Sequence, residues 1–202
     1  MTYSVGMRKE SEMLHTTFAL AEEADVCSGR YDKFAEAVGG VKEYGKDTPI
    51  PLTRILEVNG IRDALWCFRC VLPEERQEAD RMVRLLACDF AEHVAPNWIA
   101  PPGVVWKPAD TIEVSRRFAL GKATKAELLA AGRAAWRAAR AESSARAESS
   151  GRAAWSTASA ARAESSGSAW WAAWHGAESA RSGESAERQW QEEQIKRYLG
   201  SD

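Results

Sequence analysis

Cys67-Phe68-Arg69-Cys70 is the stretch whose residue types could most directly do chemistry. Two thiols at this spacing match a redox motif, in which one thiolate attacks a disulfide and its neighbour resolves the intermediate. Cys88 and His93 could add two further ligands and complete a four-ligand zinc site. Each chemistry makes a demand on position. A redox pair needs an exposed thiolate, usually at a helix N-terminus, whereas this pair falls inside a helical run between Trp66 and Val71. Cys88 and His93 are five residues apart on one expected helix, so they point about 140° away from each other. The alternative is a zinc or thiol protein centred on Cys67, Cys70, Cys88 and His93, and only a distorted helix would converge the last two on one metal. Buried structural thiols are the simpler reading, and no metal or cofactor is expected.

Other reactive groups are isolated. His15, His93 and His175 stand apart from any Ser, Cys or Asp pattern for nucleophilic catalysis, and no GxSxG, Walker, Rossmann or HExxH signature occurs. Glu74-Glu75 and Glu192-Glu193 fall on charged helical faces, where solvated surface is the simpler reading. The expectation is a protein that is not an enzyme.

A second constellation suits binding. Between about Leu128 and Glu184 the chain is built almost wholly from Ala, Ser, Gly, Arg, Glu and Trp. Arg140-Ala141-Glu142-Ser143-Ser144 recurs from Arg146 and again from Arg162, and Arg133-Ala134-Ala135-Trp136 is matched by Arg152-Ala153-Ala154-Trp155. Arg152, Arg162 and the neighbouring tryptophans could form a stacking and phosphate-binding strip for single-stranded nucleic acid. The glutamates interleaved with those arginines favour pairing along the helix instead. Trp170, Trp171 and Trp174 occupy both sides of one turn, more than one core face needs, and an exposed Trp is a typical interface anchor. The expected partner-binding residues are Trp155, Trp170, Trp171, Trp174, Arg152 and Arg162.

The elements that position these groups read as helical throughout. Apolar spacing predicts helices over Ser11–Glu23, from Tyr31, over Leu52–Leu56, and from Ala64 to Leu72 with Asp63 as its cap. Cys27-Ser28-Gly29 is read as the break after the first helix, and Asn59-Gly60 as a left-handed stop. Pro73-Glu74-Glu75 opens a helix to about Val94, with Met82, Val83, Leu86, Phe90 and Val94 facing inward. Another runs from about Ala109 to Gly121, and Thr124-Lys125-Ala126-Glu127 is a capping box that opens the Ala/Trp tract. Ala186–Leu199 is a charged helix anchored by Trp190, Ile195, Tyr198 and Leu199. No alternating β-branched run marks a strand.

The fold class expected is all-α, a multi-helix bundle with an Ala/Ser/Trp-rich C-terminal helical hairpin or long broken helix. As one rod the tract would reach about 80 Å, against a radius of gyration of roughly 16–17 Å for a compact chain of this size. A turn near Ser149-Ser150-Gly151 or Ser165-Ser166-Gly167 would fold it back, and pairing between chains as a homo-oligomer would cover it equally well. The division read from composition is an N-terminal helical region over 1–95, a proline-rich connector over 96–108 and an Ala/Trp-rich helical region over 109–202. Trp98, Val104, Val105 and Trp106 are too apolar for a solvated linker, so the connector is expected to pack on the core and the whole to form one unit.

The balance of 27 basic and 29 acidic side chains, a net charge of −2, gives no global pull toward nucleic acid or an anionic membrane. No 18-residue apolar run and no apolar stretch near the N-terminus are present, so a cytoplasmic protein is expected. Four cysteines do not make a disulfide framework.

Several segments in order resemble a known family. They are Asn59-Gly60-Ile61-Arg62-Asp63-Ala64-Leu65-Trp66, Leu86-Ala87-Cys88-Asp89-Phe90-Ala91-Glu92-His93-Val94, Lys107-Pro108-Ala109-Asp110-Thr111-Ile112 and Phe118-Ala119-Leu120-Gly121-Lys122. With the Ala-Ala-Trp tract, they resemble the immunity-protein-five-like family, helical Ala-rich proteins found beside bacterial toxin systems and on phage-like elements. The resemblance covers about residues 17–140; the ARAESS repeats depart from the family's more uniformly Ala-rich tracts. It implies a protein partner, a toxin that the chain neutralises, and carries no catalytic residues. A phage-encoded copy would instead inhibit a subunit of a host defence complex, as anti-CRISPR proteins do.

Overall fold

Phe18 shows how the first part of the chain closes. Its ring is buried, with centroids 5.1 Å from Tyr31, 5.8 Å from Phe34 and 6.0 Å from Tyr44. Such edge-on and tilted pairs contribute about 0.5–1.5 kcal/mol each beyond their burial. The computed structural model describes residues 13–97, 99–100, 103–142 and 185–200. Over these the protein is all-α, a multi-helix bundle with one two-stranded sheet among the described residues. By contacts the chain groups into two compact units, 1–79 with 189–202, and 80–188. The grouping follows packing rather than composition, so its boundaries do not coincide with the proline-rich segment that divides the sequence.

The first unit opens on β1 (His15–Thr16), which pairs antiparallel with β2 (Ile50–Pro51), His15 opposite Pro51 and Thr16 opposite Ile50. The helix expected from Ser11 therefore starts later, as α1 (Phe18–Glu23). Thr17 caps it, accepting the Leu20 amide at 3.0 Å on its hydroxyl, an interaction of about 1 kcal/mol. The break after α1 is Ala24-Asp25, where Asp25 takes a left-handed φ of 57°. Cys27, Ser28 and Gly29 instead start the next helix: Cys27 is the N-cap of α2 (Ser28–Ala37). A single turn, α3 (Val41–Tyr44), lies between Gly40 and Gly45.

α4 (Leu52–Asn59) buries Leu52, Ile55 and Leu56 and packs on α2 and on α5 (Ile61–Cys67). The two helices abut through Gly60 at φ 88°, a backbone that a side chain would strain. Because Gly60 turns the chain directly from one helix into the next, α5 starts earlier than expected and Asp63 is not its cap. Asp63 lies in the first turn, its carboxylate pairing with Arg30 and accepting the Asn59 side-chain amide at 2.9 Å. α5 ends in a 3₁₀ turn over Phe68–Cys70, and a second over Pro73–Glu75 leads into α6 (Arg76–Val94). Within α6, Met82, Val83, Leu86, Phe90 and Val94 are buried, as their spacing requires.

The second unit takes in α6 from Asp80, a 3₁₀ turn over Ala95–Asn97, α7 (Pro108–Ala119) and α8 (Lys125–Glu142). α7 packs on α8. Leu128, Gly132, Ala135 and Ala138 are buried along α8 at helical spacing, and three of these four are small enough to let helix axes approach closely. The capping box is formed: the Thr124 hydroxyl accepts the Glu127 amide at 3.2 Å, and Glu127 accepts the Thr124 amide at 2.7 Å. The C-terminal helix α9 (Ser185–Leu199) buries Gln191, Gln194, Ile195, Tyr198 and Leu199, and its residues from Gln189 group with the first unit. The turns proposed for the hairpin, at Ser149–Gly151 and Ser165–Gly167, lie outside the described residues.

Candidate functional site

The Cys67/Cys70 pair sits where α5 tightens into three-residue periodicity, so thiols three apart share one side of the chain. Val71 then turns extended, at ψ 164°, and Pro73 starts the next turn. Both cysteines are buried, Cys67 at 6% exposure and Cys70 at 2%. The Cys70 thiol donates to the Cys67 carbonyl at 3.5 Å. The Thr16 hydroxyl donates to the Cys70 carbonyl at 2.6 Å and stands 3.5 Å from its sulfur.

This setting splits the two acidities. The Cys67 thiol holds the Cys70 pKa below the ordinary thiol value, opposed by burial and helped by the Thr16 hydroxyl and the Arg69 and Arg76 charges. Cys67 is pushed well above it by its neighbour Cys70, by burial, and by the negative charge it would face at Cys70 and Asp63. Arg69 lies 5.3 Å over the Trp66 ring, and Arg76 donates to the Arg69 carbonyl at 2.7 Å.

β1 fastens this turn. The His15 carbonyl accepts the Leu72 amide at 2.9 Å, while Glu75 takes the His15 amide at 2.6 Å and its Nδ1 at 2.8 Å. Together with the Thr16 hydroxyl, these bonds bind a two-residue strand to the chain from Cys70 to Glu75. The sequence separation of 54 to 60 residues hides the arrangement from any local pattern.

Cys88 belongs to α6, fully buried, and burial pushes its thiol up to about 12. His93 is exposed near the end of the same regular helix. Among the described residues no group of three or more His, Cys, Asp or Glu stands close enough to hold a metal ion. Elsewhere in the first unit, Val38, Tyr44, Pro51, Thr53, Arg54 and Glu57 line an open groove of about 490 Å³. Its two charges neutralise each other through an Arg54–Glu57 pair at 2.8 Å.

In the second unit the proline-rich segment presents apolar groups to solvent. Ile99 is 69% exposed and Val105 is 89% exposed. Trp106 behaves as expected of a residue lying on the core: it is half-buried and donates its indole N–H to Thr111 at 2.9 Å. Val105 departs from that expectation, since neighbouring side chains in non-helical chain point to different sides, and tying down Trp106 turns Val105 outward. Pro101, Pro102 and Pro108 around these aliphatic residues were the available sequence signal. Close by in the chain, Arg116 bridges Asp89 at 2.6 Å and Glu92 at 2.5 Å, so α7 and α6 are joined by one guanidinium. Burial opposes that charge, and the two carboxylates more than restore it; in return Arg116 holds the Glu92 carboxyl below its usual value.

The expected partner-binding residues Trp155, Trp170, Trp171, Trp174, Arg152 and Arg162 all lie outside the described residues. No helix among the described residues is long and apolar enough to cross a membrane. Comparison of the chain with protein-family models, with curated proteins and with solved structures gives no match in any of the three.

Proposed function

We propose that the chain is a non-enzymatic inhibitor that acts by binding another protein, an immunity protein that neutralises a toxin. The observation that carries the binding reading is the pair Ile99 and Val105, two large aliphatic side chains that are largely exposed in a stretch whose sequence carries Pro101, Pro102 and Pro108. Burying each fully against a partner would contribute about 1.5–3 kcal/mol. Prolines limit the freedom that binding must remove. The tryptophans at 155, 170, 171 and 174 add the residue type most enriched at interface hot spots. The toxin as target comes from the family resemblance of residues 17–140.

The test is neutralisation in cells. Each toxin gene flanking the natural gene is expressed with this chain and with an Ile99→Asp, Val105→Asp variant. Growth rescue by the natural chain is expected, falling at least about tenfold in the variant if the two residues contribute the 1.4 kcal/mol that a tenfold loss requires. The helical circular dichroism should stay the same. Rescue that survives the double substitution removes this surface from the reading. Failure to neutralise any flanking toxin removes the toxin, and inhibition of a defence complex by the same surface would put the phage-encoded inhibitor in its place.

A further inference from the structure

We propose that Cys67 and Cys70 are a site of reversible thiol–disulfide exchange with a small-molecule disulfide, and that closing the protein disulfide loosens the hold of the turn on β1. Three observations converge on the pair. Residues three apart in a helical turn have Cα atoms about 5 Å apart, inside the range of about 4.4–6.8 Å that a disulfide accepts. The Cys70 sulfur is turned back toward Cys67, 3.5 Å from the Cys67 carbonyl. The polar surroundings lie on the Cys70 side: the Thr16 hydroxyl stands 3.5 Å from its sulfur, and Arg76 donates to the neighbouring Arg69 carbonyl, which favours attack by the Cys70 thiolate.

The step balances without any other reactant. The Cys70 thiolate attacks one sulfur of the small disulfide, forming a mixed disulfide and expelling one small thiolate, which takes up a proton. Cys67 then loses its proton to solvent and attacks the Cys70 sulfur, expelling the second small thiolate. Two protein thiols are oxidised to one disulfide, and one small disulfide is reduced to two thiols. Burial of both cysteines means that exchange waits on local opening of the turn, so it runs on the scale of minutes to hours.

The consequence for β1 follows from the same contacts. An S–S bond is about 2.05 Å long, so closing it requires the two sulfurs to be brought to bonding distance. The Cys70 Sγ that must be repositioned stands 3.5 Å from the Thr16 hydroxyl and 3.5 Å from the Cys67 carbonyl, so both contacts change with it. The hydroxyl's bond to the Cys70 carbonyl and the Leu72 amide's bond to His15 lie within two residues of the moving group.

The sequence supplies a direct assay. Trypsin cleaves after Arg62, Arg69 and Arg76, so Cys67 and Cys70 fall on separate peptides, 63–69 and 70–76. The full-length protein is equilibrated in glutathione buffers of graded redox ratio, alkylated and digested. The expected product is the two peptides joined, two hydrogens lighter than their sum, and reverting on reduction. Cys70→Ser and Cys67→Ser should each abolish it. Exposed Cys27 serves as the control for reactivity. If Cys27 is glutathionylated while 63–69 and 70–76 are recovered only as separate peptides, the exchange site is overturned. Hydrogen exchange reads the coupling: the Leu72 and His15 amides should exchange several-fold faster in the oxidised protein and unchanged in oxidising buffer for Cys70→Ser. Equal exchange in the oxidised and reduced protein overturns the link to β1.

Discussion

The chain from Phe68 to Glu75 and the chain from Ile99 to Lys107 both carry the backbone between helices, and they treat apolar side chains in opposite ways. The first turns Phe68, Cys70 and Val71 fully inward and fastens its backbone to β1 through Thr16, His15 and Glu75. The second holds Trp106 by a hydrogen bond to Thr111, with Ile99 and Val105 largely exposed. Buried backbone must find hydrogen-bond partners, so a connection that packs needs a strand or capping groups beside it. A proline-rich connection has fewer amides to satisfy and can stay at the surface. The difference separates a region whose apolar side chains are buried from one that keeps two aliphatic side chains largely exposed.

Substitution should widen that contrast first. Phe68 has no exposed surface, so Phe68→Ala is expected to cost about 3–5 kcal/mol, measured by the denaturant midpoint. Val105→Ala at 89% exposure should stay within about 0.5 kcal/mol. Equal losses at the two sites would dissolve the distinction. A smaller effect isolates the clasp. Thr16→Val keeps the buried shape and removes the hydroxyl that the Cys70 carbonyl accepts at 2.6 Å. Leaving that carbonyl unsatisfied should cost about 1–3 kcal/mol, and a value near zero would show that the bonds through His15 hold the turn without the Thr16 hydroxyl.

How much of this was legible in the sequence depends on the range of each signal. The capping box at Thr124 and the inward face of α6 were readable because each is decided within a few residues. So was the stop at Asn59-Gly60. Asp63 was misplaced because its partners, Arg30 and Asn59, outweigh local capping logic, and Arg30 lies 33 residues away. β1 was read as helix because Leu14 and Phe18 have helical spacing. A two-residue strand is too short for alternation to register, and its pairing is set by Ile50 and Leu72. The outward turn of Val105 follows from the bond between Trp106 and Thr111, which no periodicity encodes. The tryptophans and arginines chosen as partner-binding residues came from composition alone, and they lie outside the described residues.

The smallest expected effect concerns the charged contact between α6 and α7. The Arg116 side chain lowers the Glu92 pKa below the usual carboxylate value. A group whose pKa falls on folding binds fewer protons in the folded chain, so its contribution is present above the ordinary carboxylate range and is lost as pH drops through the lowered value. Glu92 is 61% exposed at its side chain, and solvent screening keeps such a pair to at most about 1 kcal/mol. Thermal melts of the natural protein and Glu92→Gln at neutral pH should therefore differ by no more than a few degrees. The difference should shrink toward zero below the lowered pKa and also in high salt. A difference that persists in acid would mean that Glu92 stabilises the second unit by packing. In that case Asp89, less exposed and 2.6 Å from the same guanidinium, would be the carboxylate that ties α7 to α6.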